Sequence, residues 1–231
     1  MVSETAGPWF PKTRWSEIRD ATDPASPTRV KSLEQIAVLY WRPVYAYLRR
    51  KWGHSNEDAM DLTQEFFVAL CEKEFLRRLT PDRGRFRAYI MTALDNFTRM
   101  RHRHQTRLKR GGGVAHLSIE LGPGFEPAFG ASPEQVFLRE WARTILKDAI
   151  AEMKESLDPV AFQVFEAYDL TPDNQAGYDE LAAKFGLSLS DVKNTLYRTR
   201  VKLRELVLKR VRDTVMTEED AENEMREVFG E

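Results

Sequence analysis

Apolar residues recur every three or four positions along most of this chain, which is the spacing of amphipathic α-helices. The pattern runs through residues 33–48, 62–70, 86–97 and 138–153, and it returns near the end of the chain. Alternating β-branched runs and the Asn-Gly or Asp-Gly pairs of tight hairpins are absent from the sequence. The pattern therefore predicts an all-α fold.

Helix start signals precede several of these apolar segments. A capping box places a Ser or Thr three residues before a side chain that reaches back to it. Such pairs are Ser32 with Gln35, Ser55 with Asp58, Ser188 with Asp191, and Thr217 with Asp220. Ser132-Pro133 and Asp158-Pro159 each combine a capping residue with a proline in the first turn. Pro43 interrupts the first segment, which predicts either a pair of helices or one bent helix.

Two segments without helical periodicity divide the chain. Residues 1–31 contain four prolines, so we expect an irregular N-terminal extension there. Residues 111–132 are rich in Gly and Pro, which is typical of an interdomain linker. The prediction is therefore a helical domain at 32–110, a flexible linker at 111–132, a second helical domain at 133–212 and an acidic tail at 213–231.

Composition and hydropathy argue against membrane-spanning, secreted and disulfide-bonded classes of protein. The 231 residues carry 35 Lys and Arg against 36 Asp and Glu, a formal net charge of -1. No apolar stretch reaches the roughly 20 residues that span a bilayer, and the first residues lack the basic-then-apolar order of a signal peptide. We therefore expect a cytoplasmic protein with no membrane partner. The single cysteine, Cys71, excludes an intramolecular disulfide and a multi-cysteine zinc site.

The near-neutral average hides strong segregation of charge. Residues 86–110 contain seven basic residues and one acid, and residues 186–212 contain eight basic residues and two acids. Residues 55–74 hold six acids and one base, and residues 213–231 hold eight acids and one base. Two basic helices in two separate domains favour a nucleic-acid partner despite the net charge.

Residues 178–212 have the layout of a helix-turn-helix. Small Ala182 lies where the two helices touch, and Gly186 supplies a turn that needs positive φ. The apolar stripe of the second helix consists of Val192, Leu196, Thr199, Leu203 and Leu206. The opposite positions carry donors that suit phosphates and purine edges in a major groove: Ser190, Lys193, Asn194, Tyr197, Arg198 and Arg200. A solvated basic helix in an ordinary bundle is the alternative.

The basic helix that begins at Phe86 has a mixed aromatic, amide and cationic face. Tyr89, Thr92, Asn96, Arg99 and Arg103 follow one another at three- and four-residue steps. Stacking groups beside cations suit splayed bases and their backbone, as in a single-strand surface. The alternative is that Tyr89 is half-buried packing and that the arginines are only solvated.

Metal and cofactor chemistry has little support in the sequence. His102 and His104 are alternate residues of a helix and diverge, so we interpret them as DNA-flanking residues instead of metal ligands. Asp58, Asp61 and Glu65 form an acidic face of the kind that usually only solubilises a helix. A nuclease would need a metal constellation, a nucleophile with its base, or a phosphate loop. We therefore expect no metal, no cofactor and no catalytic residue.

Taken together, residues from about 33 to 211 resemble a bacterial RNA polymerase sigma factor of the extracytoplasmic function (ECF) type. The segment Asp58-Ala59-Met60-Asp61-Leu62-Thr63-Gln64-Glu65-Phe66-Phe67 resembles the region 2 helix that docks on the polymerase. Phe86-Arg87-Ala88-Tyr89-Ile90 and Asn96 resemble the promoter-melting helix of region 2. Residues 178–206 resemble region 4, which reads the minus-thirty-five element of promoters.

The resemblance implies three sets of contact residues. Core-polymerase binding falls on Asp58, Asp61, Leu62, Gln64, Glu65 and Phe67. Capture of the unwound minus-ten element falls on Arg87, Tyr89, Asn96, Arg99, Arg103 and Arg107. Readout of the minus-thirty-five duplex falls on Ser188, Ser190, Lys193, Asn194, Tyr197, Arg198 and Arg200.

It also implies the partners, which are core RNA polymerase and promoter DNA, both as duplex and as melted single strand. Catalysis would reside in the polymerase.

An anti-sigma factor or a Ser/Thr kinase would be a further partner, because some relatives with a weakened acidic motif are activated by phosphorylation at the position of Thr63. Met60 weakens that motif here, while Asp58 and Asp61 favour constitutive docking. The rival hypothesis is a free-standing helix-turn-helix regulator that binds DNA without polymerase.

The last segment predicts an acidic amphipathic helix. Its apolar stripe consists of Ala221, Met225, Val228 and Phe229. Two interpretations fit this helix: a built-in brake that covers a basic DNA-binding helix, or a frayed solubilising tail.

Overall fold

The structure is a computed structural model that describes residues 21, 23, 25–72, 85–105, 130–171, 176–215 and 217–230. Across these residues the chain forms helices and one isolated bridge between Arg85 and Val215, so the all-α prediction is confirmed. In chain order the helices are α1 (Arg29–Trp52), α2 (Asn56–Glu72), α3 (Phe86–Gln105), α4 (Pro133–Ser156), α5 (Pro159–Asp169), α6 (Tyr178–Phe185), α7 (Leu189–Arg212) and α8 (Glu218–Phe229). None of these helices is both long and apolar enough to cross a membrane.

The helices are divided between two compact units. Unit 1 comprises Met1–Ala142 and Arg212–Glu231, and unit 2 comprises Arg143–Val211. The division differs from the predicted domains in two places, because the first part of α4 and the whole of α8 belong to unit 1. Most of the predicted extension and most of the predicted linker lie outside the described residues.

The start of α4 belongs to unit 1 because its apolar side chains complete that core. Phe137 is fully buried, and its ring lies 6.3 Å from the rings of both Tyr40 and Tyr47 on α1. The carboxylate of Glu140, also fully buried, accepts a hydrogen bond from Arg42 Nε over 2.5 Å. These contacts join segments almost 100 positions apart, which a linker-based division of the sequence does not reveal.

Helix α1 begins earlier than its predicted capping box. The helix starts at Arg29, whose N–H donates to Ser26 O over 3.2 Å, and Ser32 is buried inside the helix. Pro43 lies within one continuous helix that ends at Trp52 and is followed by the cap residue Gly53 with φ 61°. Of the two predicted alternatives, the structure therefore has a single helix through Pro43.

The core of the first three helices is largely aromatic. Trp41 on α1 stacks on Phe67 of α2 with ring centroids 5.5 Å apart, and Phe66 meets Phe97 of α3 edge to face at 5.7 Å. The predicted inner face of α3 is buried: Phe86, Ile90, Leu94 and Phe97. Because this face is buried, the opposite face of α3 is directed away from the core.

Unit 2 contains the predicted helix-turn-helix. Asp158 caps α5 by accepting from the N–H of Ala161 over 3.0 Å. The unit's core joins Val164 of α5, Leu181 of α6, and both Val192 and Leu196 of α7. Thr199 and Leu206 continue the buried stripe as predicted, and Leu203 is partly buried.

Candidate nucleic-acid and polymerase interface

The turn between α6 and α7 sets the direction of the basic helix. Gly186 ends α6 with φ 65°, and the N–H of Leu187 donates to Ala182 O over 3.0 Å. Ser188 then caps α7, because its hydroxyl accepts from the N–H of Asp191 and donates to that residue's carboxylate. These local bonds satisfy the backbone groups that a helix end leaves unpaired.

The residues predicted to contact duplex DNA are all exposed: Ser188, Ser190, Lys193, Asn194, Tyr197, Arg198 and Arg200. Tyr197 is 70% exposed. So large an exposed fraction is unusual for an aromatic side chain that no other molecule covers. The structure therefore places this whole set on the solvent side of α7, opposite the helix-turn-helix core. The hydroxyl of Ser188 is already used in the cap.

Two of these cations contact protein groups. The guanidinium of Arg200 donates to both carboxylate oxygens of Asp169 over 3.0 and 2.8 Å, and it lies 5.4 Å from the ring of Tyr168. Lys193 Nζ lies 5.8 Å from the ring of Tyr178. The bidentate pair occupies the fork of Arg200 in this structure, which the sequence prediction of a free phosphate contact did not include.

The outer face of α3 retains part of the predicted single-strand surface. Asn96 and Arg99 are exposed, and half-buried Tyr89 stacks on Phe86 with centroids 6.0 Å apart. Tyr89 therefore supports the helix on one side while part of its ring remains accessible. The side chain of Arg103 and the whole of Arg107 lie outside the described residues.

Arg87 is placed differently from the prediction. It is 4% exposed, and its Nε lies 2.7 and 2.6 Å from the two carboxylate oxygens of Glu224 on α8. Glu224 is itself fully buried, and Glu227 adds a second contact to the same guanidinium at 2.9 Å. In this conformation Arg87 has no access to DNA, because the acids of α8 surround its guanidinium.

The predicted polymerase-docking helix α2 has an exposed and a buried side. Asp58 and Asp61 are exposed and Gln64 is partly exposed, whereas Leu62 and Phe67 are each 7% exposed. Glu65 forms an ion pair with Arg101 of α3. Direct contact from Leu62 or Phe67 is therefore corrected to a supporting role, because both side chains fill the core beneath the acidic face.

The candidate regulatory residue on this helix is also buried. Thr63 has no exposed surface, and its hydroxyl donates to the carbonyl of Ala59 over 2.6 Å. The helical register places Thr63 on the inner side of α2, away from the exposed Asp58 and Asp61. A kinase would reach this hydroxyl only after α2 opened locally.

A polar network that sequence reasoning missed joins α1 to α3. Lys51 Nζ donates to Tyr47 Oη over 2.6 Å and to Asp95 Oδ1 over 2.7 Å, and Tyr47 donates to the same carboxylate. Burial raises the pKa of Tyr47 to about 12. The sequence contained one signal for this network. Residues 86–110 hold seven basic residues, and Asp95 is the only acidic residue in that segment.

Among the described residues, no group of three or more His, Cys, Asp and Glu side chains is arranged to hold a metal ion. The side chains of His102 and His104 lie outside the described residues.

Comparison with known proteins gives these surfaces a family context. The family model for sigma-70 region 2 matches residues 38–108, which include most of α1 and all of α2 and α3. RNA polymerase sigma factor YlaC of Bacillus subtilis (strain 168) is 27% identical over 178 residues, covering 77% of this chain and 93% of that protein. The alignment thus extends well beyond region 2. The chain thus contains a match to sigma-70 region 2 and is similar over most of its length to a bacterial RNA polymerase sigma factor.

Proposed function

We propose that this protein is an RNA polymerase sigma factor of the ECF type and that it directs core polymerase to promoters with two DNA surfaces, one in each compact unit. The helix-turn-helix of unit 2 acts as region 4 and reads the minus-thirty-five duplex. The outer face of α3 in unit 1 captures the unwound minus-ten strand. The supporting observation is that the predicted duplex-contact residues are all exposed on a helix whose opposite face is buried.

Duplex readout is assigned to the first two turns of α7. Asn194 and Lys193 carry donors that match purine edges, and a good base contact contributes about 1–3 kcal/mol of discrimination. Arg198 supplies a cation for the phosphate backbone, which contributes affinity without sequence information. Ser190 and Tyr197 lie on the same exposed side and complete the proposed surface.

Strand capture is assigned to Tyr89, Asn96 and Arg99. An aromatic ring stacks on an unstacked base, an amide bonds its edge, and a guanidinium contacts the backbone. Arg103 and Arg107 would extend the cationic part of this surface. A binding role of this kind needs no catalytic residue in the sigma factor.

Docking on core polymerase is assigned to Asp58, Asp61 and the exposed part of Gln64. Exposed carboxylates on a rigid helix steer association with a basic partner, and their effect weakens as salt rises. Leu62 and Phe67 are buried, and the stacking of Phe67 on Trp41 holds the helix against α1. We further propose that the protein acts in the cytoplasm, where its polymerase partner works.

Regulation by another protein is a narrower proposal. An anti-sigma factor would cover the same exposed acids of α2 that the polymerase needs. Control by a Ser/Thr kinase at Thr63 has less support, because that hydroxyl is buried and hydrogen-bonded.

Run-off transcription with purified core polymerase tests the proposal directly. Transcripts that start at a defined promoter only when the protein is present are the expected result. The double variant Lys193→Ala/Asn194→Ala should change the choice among a panel of promoters while binding core polymerase normally. Arg198→Ala, the matched control, should weaken binding to all promoters alike and reduce the salt slope by about 1.

Failure would take a recognisable form. A protein that shifts duplex DNA but neither binds core polymerase nor supports initiation would instead be a free-standing regulator. Unchanged promoter preference in the double variant would remove base readout from Lys193 and Asn194.

A further inference from the structure

A stacked tyrosine pair joins all three helices of the helix-turn-helix region. The rings of Tyr168 and Tyr178 lie 5.0 Å apart and 8° from parallel, and the hydroxyl of Tyr168 donates to that of Tyr178 over 3.2 Å. Tyr168 is near the end of α5, and Tyr178 is the first residue of α6. Each ring also has a cation of α7 within 6 Å: Arg200 on Tyr168 and Lys193 on Tyr178.

Lys193 and Arg200 are seven positions apart, so they lie on one face of α7 two turns from each other. Arg200 is held from the other side by the two oxygens of Asp169. The guanidinium of Arg200 is therefore fixed in position. It packs on the ring of Tyr168, and that ring stacks on Tyr178. Lys193 is held differently: its ammonium lies over the ring of Tyr178, and within the described part of the chain no carboxylate pairs with it.

We propose that Tyr178 is a positioning residue for promoter readout by Lys193. This inference rests on the proposed role of α7 in reading the duplex. A solvent-exposed lysine loses much rotamer freedom when it binds, and a ring that already restricts its stem and ammonium lowers that loss. Arg200 then acts through the tyrosine pair and does not need to contact phosphate.

The test compares Tyr178→Leu with Tyr178→Phe in holoenzyme bound to promoters that differ at single minus-thirty-five base pairs. Leucine removes the aromatic face, so discrimination should fall by about two- to fivefold, whereas phenylalanine keeps the face and should retain it. A purely structural role would lower affinity for every promoter by the same factor and leave discrimination unchanged.

Lys193→Ala provides the internal reference, and thermal unfolding confirms that each variant is folded. If Lys193→Ala changes discrimination and Tyr178→Leu does not, positioning by Tyr178 is overturned while duplex readout by α7 stands. If neither variant changes it, base readout by Lys193 fails, and the positioning role fails with it. Non-additive effects in the double variant are expected if the two residues act together.

A second and independent observation concerns the acidic helix α8. Glu224 and Glu227 contact the two arginines at the start of α3, Arg87 as described above and Arg85 at 3.4 Å from Glu224. Ala221 and Met225 are buried on the same side of α8. Helix α8 is therefore packed on unit 1 through an apolar stripe and through ion pairs with two arginines. A frayed tail would not form these contacts.

The segment that leads into α8 adds backbone contacts. The N–H of Phe86 donates to Thr214 O over 3.3 Å, and Val215 forms the bridge with Arg85. At the far end, the ring of Phe229 lies 6.5 Å from Trp141 of α4. These contacts place two carboxylates of α8 against Arg87 and Arg85, which precede the proposed minus-ten surface on the chain and would otherwise be available to a phosphate.

We infer that α8 is an intramolecular competitor of promoter DNA at the start of α3. Its carboxylates satisfy Arg87 and Arg85 in the free protein, and a melted strand that uses these arginines must displace the acids. The inference also rests on the proposed minus-ten role of α3. Burial of both Arg87 and Glu224 makes this contact costly to break from one side only.

The test uses Glu227→Arg, because Glu227 is exposed and its replacement repels both arginines without removing the buried Glu224. The matched control is Glu219→Arg, the same charge change at an exposed position of α8. Affinity of the full chain for a promoter fragment with a preformed bubble should rise by about threefold or more in Glu227→Arg relative to the control. Equal affinities in the two variants would overturn the competitor role.

Two further variants keep that result interpretable. Glu227→Gln, which only removes a charge, should give a smaller rise, and thermal unfolding should show that it remains folded. Arg99→Ala should reduce bubble binding in the wild-type background. If it does not, the minus-ten surface itself is misplaced, and the competitor role falls for that reason.

Discussion

Tyr47 on α1 and Asp95 on α3 are joined by a hydrogen bond of 2.7 Å from the tyrosine hydroxyl to Oδ1. Lys51 donates to the same oxygen from one turn further along α1. Asp95 directly precedes Asn96, so the network fixes the rotation of α3 at the point where its proposed strand-binding face begins. A carboxylate with two charged or polar donors is a strong local constraint in a partly buried setting.

Replacement of this carboxylate should destabilise unit 1. We expect Asp95→Asn to lower the free energy of unfolding by about 1–3 kcal/mol, because Lys51 and Tyr47 lose their charged acceptor. Urea unfolding followed by circular dichroism measures the change. Glu57→Gln, an exposed carboxylate at the start of α2, is the control and should have little effect.

The same carboxylate predicts a dependence of stability on pH. Burial by itself raises the pKa of Asp95, but hydrogen bonds from Lys51 and Tyr47 outweigh it and hold the pKa below the ordinary value of 3.8. A lowered pKa in the folded state contributes stability above pH 3.8 that is lost as pH falls through the folded-state value. The stability difference between wild type and Asp95→Asn should therefore shrink below that pH, and a constant difference would contradict the assignment.

Substitutions on the exposed and buried sides of α2 should affect different properties, polymerase binding on the exposed side and stability on the buried side. Asp61→Ala removes an exposed carboxylate, so it should weaken binding to core polymerase while leaving the melting temperature nearly unchanged. Phe67→Ala removes a buried ring stacked on Trp41 and should cost about 3–5 kcal/mol of stability. Core-polymerase binding and thermal unfolding, measured on the same samples, check both outcomes.

Thr63 should behave as a core residue. Because its hydroxyl is buried and bonded to Ala59, Thr63→Glu should lower the melting temperature and should not strengthen polymerase binding. Thr63→Val, which keeps the shape and removes the hydroxyl, should be much milder. A gain in core affinity for Thr63→Glu without loss of stability would instead support a phosphorylation switch.

Gly186 should be required for its backbone conformation and not for space. Its φ of 65° lies in the left-handed region, and a Cβ built there meets no atom within 4 Å. Gly186→Ala should therefore cost about 1–2 kcal/mol from backbone strain alone. Gly186→Asn should cost less, because Asn tolerates this region, and chemical unfolding of the full chain distinguishes the two.

Local signals in the sequence determined most of the helices and their caps. Ser55 with Asp58, Ser188 with Asp191, and Thr217 with Asp220 form the predicted capping bonds, since each pair spans only three positions. The apolar stripes of α3 and α7 are buried as predicted, except that Leu203 is only partly buried. The exposed set on α7 followed from the same periodicity, because the opposite face of an amphipathic helix must be directed to solvent.

The capping box predicted at Ser32 is not the start of α1, and it shows where local signals fail. Ser32 and Gln35 match the pattern, but α1 extends one turn earlier and buries Ser32. Likewise, the apolar side chains of Leu62 and Phe67 fit both a docking face and a core. Burial of both side chains in the folded unit, with Phe67 stacked on Trp41, decides the question, and the residues of one helix do not contain that information.

Tertiary structure alone decided which charges are available. Arg87 and Glu224 are 137 positions apart, and Arg200 meets Asp169 across 31 positions. In the sequence each of these arginines is one more base in a basic helix. A buried or bidentate ion pair forms only when folding brings its partners together and excludes water from them, so periodicity identifies the basic helices and the folded chain determines which of their cations remain for DNA.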